Sequence, residues 1–224
     1  MELDQTIRIV LLYAIPGIFA ITLHEAAHGY AARRFGDLTA YQAGRITLNP
    51  LRHIDVMGTI VIPVLLLLAS QGKYAFGWAK PVPVDFGRLR NPKRDMLWVA
   101  AAGPGANLLM AVLWAAAIKT IHLAPPNYFT EPLLLMARGG IIINAVLMVL
   151  NLLPLPPLDG GRIAVSLLPR RLAYRFARLE PYGMIILLAL MFLGVLGRIM
   201  WPFVAAFIGV LAAVFDIGWM FGLR

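Results

Sequence analysis

A chain of 224 residues that is 60% hydrophobic and only 14% charged, with mean hydropathy +0.77, is too apolar to cover a water-facing surface; soluble domains lie nearer 45–50% apolar and about a quarter charged. Lipid must therefore be part of its solvent, and the length describes one polytopic membrane domain rather than soluble ones. The net charge of +9 does not mark a nucleic-acid binder, because Lys and Arg lie between apolar segments, as they do in cytoplasmic loops. The lack of cysteine excludes disulfides and thiolate ligands, leaving His, Asp and Glu to hold any metal.

A helix needs roughly 20 residues to cross the hydrocarbon core. The opening MELDQTIRIV starts acidic, and the apolar run after Arg8 passes into His24 and Glu25 with no small-residue cleavage site. It reads as a retained first span over 7–30 rather than a removed signal. Residues 31–54 are polar and basic, with a β-like stretch at RITL, and residues 55–70 are apolar but only marginally long. Residues 71–96 carry Lys73, Lys80, Arg88, Arg90, Lys93 and Arg94 around an alternating, proline-rich KPVPVDF. Spans follow over 97–118 and 134–153. Residues 159–181 then hold Arg162, Arg170, Arg171, Arg175 and Arg178, suited to an amphipathic helix lying on lipid headgroups. Last come 183–199 and 201–221, a hydrophobic hairpin turned at Arg198 and Pro202. The expected fold is an all-α polytopic membrane protein of five to six transmembrane helices in a single domain, 1–224. Its core covers 7–181, with the C-terminal hairpin over 183–221.

Charge sets the expected orientation. The basic stretches 31–54, 71–96 and 159–181 belong in the cytoplasm, while 119–133 offers only Lys119 against Glu131 and belongs outside. The N-terminus would be external and Arg224 internal. The motif His24-Glu25-Ala26-Ala27-His28 and Asp159 both fall at cytoplasmic helix ends, so their helices run parallel and an odd number of crossings separates them. Residues 97–118 supply one. Residues 55–70 are therefore expected to re-enter or return, unless 71–90 comes back through the protein as extended chain, and irregular backbone is tolerated there only inside protein or beside water.

The strongest chemical signal is that HEAAH motif. On a helix, positions i and i+4 share a face, so both imidazoles reach one ion, and Glu25 beside them is placed to deprotonate an attacking water. Ionisable residues within a span are expensive, which sets the cluster apart from chance packing. A catalytic zinc takes three protein ligands and keeps one open position. Of the remaining acids only Asp159 and Asp216 belong to apolar segments. Asp159 is favoured, because NLLPLPPLDGGR breaks its helix with three prolines and lets backbone approach closely at two glycines. Asp216 reads instead as a helix-end residue near the interface or an arginine partner. Gly103-Pro104-Gly105-Ala106-Asn107 reads as a close-packing interface with an interhelical hydrogen bonder, and Asn151 as a cap at the proline break. Lys80, Val82 and Val84 alternate as an edge strand that could pair with an unwound substrate along one edge, its prolines lacking donors. A plain surface loop fits the same residues. His53 reads as a local hydrogen bonder.

HEAAHGYAARRFGD, AAGPGANLLMA and NLLPLPPLDGGR together resemble the three signature segments of the site-2 protease family of intramembrane zinc metalloproteases. GRITLNPLRHID and FGWAKPVPVD are similar to its small bacterial and archaeal branch lacking a PDZ domain. The resemblance covers about 15–180. It implies one zinc ion held by His24, His28 and Asp159, with Glu25 as general base, and Asn107 and Asn151 near the substrate backbone or developing oxyanion. It also implies a multi-pass protein of the cytoplasmic membrane. Its substrates would be single-pass transmembrane proteins or signal-peptide remnants.

Three other readings are weaker. A CAAX-type membrane protease needs a downstream glutamate ligand, and neither Glu131 nor Glu180 sits in a suitable helix. A histidine-box oxygenase needs more than four histidines. A metal transporter using His24, His28 and Asp159 would need polar residues along the whole path, whereas the ionisable groups here cluster at one depth.

Overall fold

The computed structural model describes residues 3–69, 71 and 77–223. Lys73 and Phe76 of the basic loop, and Arg224, lie outside the described residues. Four long helices make the body: α1 (Leu3–Arg34), α4 (Pro92–Leu123), α5 (Thr130–Leu152) and α9 (Val195–Phe215). Between them lie the short α2 (Thr39–Gln42), α3 (Ile62–Ala69), α6 (Asp159–Leu167), α7 (Arg170–Ala177) and α8 (Glu180–Phe192). Helices α4, α5 and α9 are long and apolar enough to cross a membrane. The 32 residues of α1 extend about 48 Å, more than the hydrocarbon thickness.

Lipid-like surroundings explain how these helices pack. Large apolar side chains such as Phe19, Leu109, Leu113, Val210 and Val214 face outward, while the interior is built of small ones: Ala20, Ala111, Ala115, Ala137 and Ala145. Water cannot drive helices together here, so close backbone approach must supply the dispersion contacts. Gly139 and Gly140 show this directly. A Cβ at Gly139 would lie 2.9 Å from Tyr13, and one at Gly140 would lie 2.5 Å from the Trp114 indole.

Between α1 and α4, two described stretches of the segment lie against each other. A helical turn over Val56–Val61 runs into α3. The chain is then back at its start, with the Trp78 N–H donating to the Gly58 carbonyl (3.0 Å) and the Thr59 hydroxyl to the Trp78 carbonyl (3.0 Å). Gly58 and Thr59 are thus tied directly to Trp78. No strand forms among the described residues, so the β-like readings of RITL and KPVPV are corrected. Pro81 and Pro83 lack N–H groups, and the amides of Lys80 and Val82 serve His53 and Glu25 instead of a ladder. At the end of α1, Gly36 takes φ +108°, and the buried Asp37 accepts from the Thr39 amide (2.9 Å) and the Asp85 amide (2.8 Å). That carboxylate ties the returning segment to α1.

The C-terminal hairpin differs from expectation. The chain turns at Gly194, where φ is +69°, and α9 runs straight through Arg198 and Pro202. Glycine takes that left-handed conformation without steric penalty. Helix α8 has 13 residues, about 20 Å, too short to cross. It begins against Pro156, which Gly183 touches. At the other terminus of α9, Asp216 pairs with Lys119 (3.0 Å), Trp219 meets His122 and Phe221 lies under Arg138. Helix α9 therefore ends beside the α4–α5 connection. Residues 216–223 lie at the same end as the start of α1.

Candidate metal centre

His24 and His28 sit one turn apart on the buried face of α1. Asp159 opens α6, which the break after Leu152 folds back beneath them. Their ligating atoms converge. The two Nε2 atoms are 3.1 Å apart, and Asp159 Oδ2 lies 3.2 Å from that of His24 and 3.3 Å from that of His28. Tetrahedral bonds of about 2.0–2.2 Å place ligand atoms about 3.3 Å apart. The triangle thus fits a zinc-sized ion, and its N, N, O donor set suits zinc. Asp159 Oδ2 is buried with no hydrogen-bond partner, an orphan that a cation would satisfy. Among the described residues this is the one group of three or more His, Asp or Glu able to hold a metal. A transport route would need further such stations.

Outer partners fix both rings. His28 Nδ1 donates to the Val99 carbonyl (2.7 Å), and His24 Nδ1 donates to Asn107 Oδ1 (2.7 Å). With Nδ1 carrying the proton, each Nε2 keeps its lone pair for a ligand. Gly103 floors the site: a Cβ there would fall on His28 Nε2 and 2.6 Å from His24 Cε1. The first glycine of GPGAN is thus required by the imidazoles, a role its sequence setting did not announce.

Glu25 is half-buried beside the triangle, and its Oε2 accepts the Val82 amide hydrogen at 2.8 Å. A cavity of about 170 Å³ holds both histidines, Asp159 and Glu25, walled by Val82, Val84, Asn151 and Arg162. It adjoins a larger, mostly apolar cavity of about 510 Å³ between Trp78 on the returning segment and Leu150 and Leu187 on α5 and α8. His24, Glu25, Asn151 and Arg162 border both.

Other sequence candidates resolve differently. Asn107 lines neither cavity. It is fully buried behind His24, and its amide group donates to the Ala20 carbonyl (3.2 Å) and Asn144 Oδ1 (2.9 Å). Asn151 does border the cavities, while its Nδ2 donates to the Leu147 carbonyl (3.0 Å). Lys80 donates to the His53 carbonyl (2.9 Å), and the Lys80 carbonyl accepts from Arg45 Nη2 (2.9 Å). The amides of Lys80 and Val82 are thus engaged within the protein. His53 donates from Nε2 to the Thr47 carbonyl (2.9 Å), a local role as expected. Asp216 is remote, paired with Lys119. Two residues escaped sequence reasoning, Arg162 and Asn144. The second carried a signal, a lone amide inside an apolar span.

An HExxH helix meeting a distant carboxylate beside an apolar cavity, in a chain with membrane-length apolar helices, defines the class of intramembrane metallopeptidases. Comparison with known proteins agrees. The model for peptidase family M50 matches residues 127–194. A Bacillus subtilis protein named "Putative zinc metalloprotease YwhC" is 38% identical over 196 residues, 84% of each chain. A Mycolicibacterium smegmatis protein named "Putative zinc metalloprotease Rip2" is 31% identical over 196 residues, 84% of this chain and 70% of that one. No solved structure matches. The chain belongs to peptidase family M50, the site-2 protease family.

Proposed function

We propose that this membrane protein is a zinc-dependent endopeptidase that cuts within or beside transmembrane segments, with His24, His28 and Asp159 as ligands and Glu25 as general base. The observation that carries this reading is the convergence of three ligating atoms, from α1 and α6, to within 3.1–3.3 Å of one another. Zinc bound there supplies Lewis-acid polarisation of the scissile carbonyl and a water whose pKa falls to about 7. Glu25 is placed to take the proton of the attacking water and to return it to the leaving amine, so hydrolysis needs no covalent enzyme intermediate. The apolar cavity beside Trp78 and Leu150 receives the unwound substrate. Asn151, at its border, hydrogen-bonds the substrate backbone.

The site end faces the cytoplasm of a bacterial or archaeal cell membrane, supported by the arginines of α6, α7 and their surroundings. Substrates are single-pass membrane proteins or signal-peptide remnants. The test uses the purified protein in detergent with a model transmembrane substrate. Cleavage is expected to stop on chelation and return with zinc. Glu25→Gln should keep zinc yet cleave about 10²–10⁴-fold more slowly. Undiminished cleavage by Glu25→Gln, or after complete removal of metal, refutes the assignment.

A further inference from the structure

We infer that Asn144, a residue of α5 with no contact to the metal ligands, is a positioning residue that holds His24 in its ligating tautomer through Asn107. The inference rests on the zinc reading above. A continuous chain of hydrogen bonds joins three helices. The Asn144 Nδ2 donates to the Gly140 carbonyl (2.8 Å), Asn144 Oδ1 accepts from Asn107 Nδ2 (2.9 Å), and Asn107 Oδ1 accepts from His24 Nδ1 (2.7 Å). Both asparagines are fully buried.

Backbone carbonyls fix the direction of the chain. The Gly140 carbonyl can only accept, so the nitrogen of the Asn144 amide must point at it and its oxygen must face Asn107. The Ala20 carbonyl likewise accepts from Asn107 Nδ2 at 3.2 Å. Two acceptors therefore take both amide hydrogens of Asn107, and its oxygen is turned to His24. An oxygen there demands a proton on Nδ1 and leaves the lone pair on Nε2.

Without Asn144 Oδ1, only the Ala20 carbonyl orients the Asn107 amide. Rotation by 180° would then present a donor to His24 Nδ1, and the imidazole would carry its proton on Nε2, where it cannot ligate. Loss of Asn144 should thus weaken the metal site rather than abolish it. Its effect must also vanish when Asn107 is absent, which ordinary packing in α5 would not predict.

The experiment is a double-mutant cycle read as zinc affinity, by competition with a chromophoric chelator on the full-length protein in detergent. Asn144→Leu is nearly isosteric and should weaken zinc about tenfold. Asn107→Leu should weaken it about 10–100-fold, the range for outer partners of a ligating histidine. The double variant should bind no worse than Asn107→Leu within about twofold, since coupled residues are non-additive. Asn144→Asp, measured at a pH where its buried carboxyl is protonated, donates to the Gly140 carbonyl and keeps an acceptor for Asn107, and should restore affinity to within about threefold of the wild type. If Asn144→Leu does not fold, Asn144→Ser, too short to reach Asn107, takes its place in the cycle. Full additivity, unchanged affinity in the Leu or Ser variant, or equal loss in Asn144→Asp each overturn the inference alone. A wild-type protein that binds no zinc overturns the proposed function with it.

Discussion

The residues that do chemistry differ in how openly the sequence declares them. His24, Glu25 and His28 are legible because their relation is local: a spacing of four on any helix puts two imidazoles on one face. Asp159 is legible through its setting, a proline break with an acid where lipid would penalise both. Asn107 was not, because an amide on a helix can face substrate or stand behind a ligand, and only the rotation of α4 against α1 decides. Gly103 follows the same rule. Its value lies in the absent side chain, since a methyl group would collide with His28 Nε2. We expect Gly103→Ala to lose zinc at least about tenfold, by displacement of the imidazoles, while Gly105→Ala, which meets nothing within 4 Å, is neutral. Metal analysis of the purified variants checks both. His24→Ala should lose zinc and cleavage together.

Among the elements, the C-terminal hairpin turns at a different place from the one its sequence suggests. Hydropathy alone cannot tell an apolar helix that crosses from one that packs at a single depth, so α8 resembled a span until its length and the turn at Gly194 were seen. The KPVPV strand failed because a pattern of alternation says nothing about where backbone donors are used. Here the lone N–H between two prolines grips Glu25. Val82→Pro deletes that donor, whereas Val82→Ala keeps it. A hydrogen bond to a charged group contributes about 1.5–3 kcal/mol, so steady-state assays should find kcat about ten- to a hundredfold lower in Val82→Pro with zinc retained, and little change in Val82→Ala. The other anchor of this segment is Asp37. Burial alone would raise its carboxyl pKa, but hydrogen bonds from Thr39 and Asp85 and the charge of Arg88 prevail and hold it below the usual range. A lowered native pKa stabilises above the unfolded value of about 3.9 and is lost as pH falls through the native one. Protection of the Asp85 amide, its exchange relative to the intrinsic rate at each pH, should therefore fall in acid, and that fall should disappear in Asp37→Asn.

At the level of the whole molecule, an apolar bundle with one polar reaction centre was evident from composition, but the number of crossings was not. Four long helices return residues 216–223 to the side on which α1 begins. Reporter fusions at the two termini should therefore give the same side, external if the site end is cytoplasmic. Opposite sides would contradict the packing of Asp216 on Lys119.

That packing has a mechanical meaning. Lys119 with Asp216, His122 with Trp219 and Arg138 with Phe221 clasp the bundle at the pole remote from the metal. Shafts fastened at one pole spread like tongs, with widest travel at the free tips. The shafts so fastened are α4, α5 and α9, and along α4 the fulcrum at Lys119 stands 16 residues, about 24 Å, from Gly103 at the metal site.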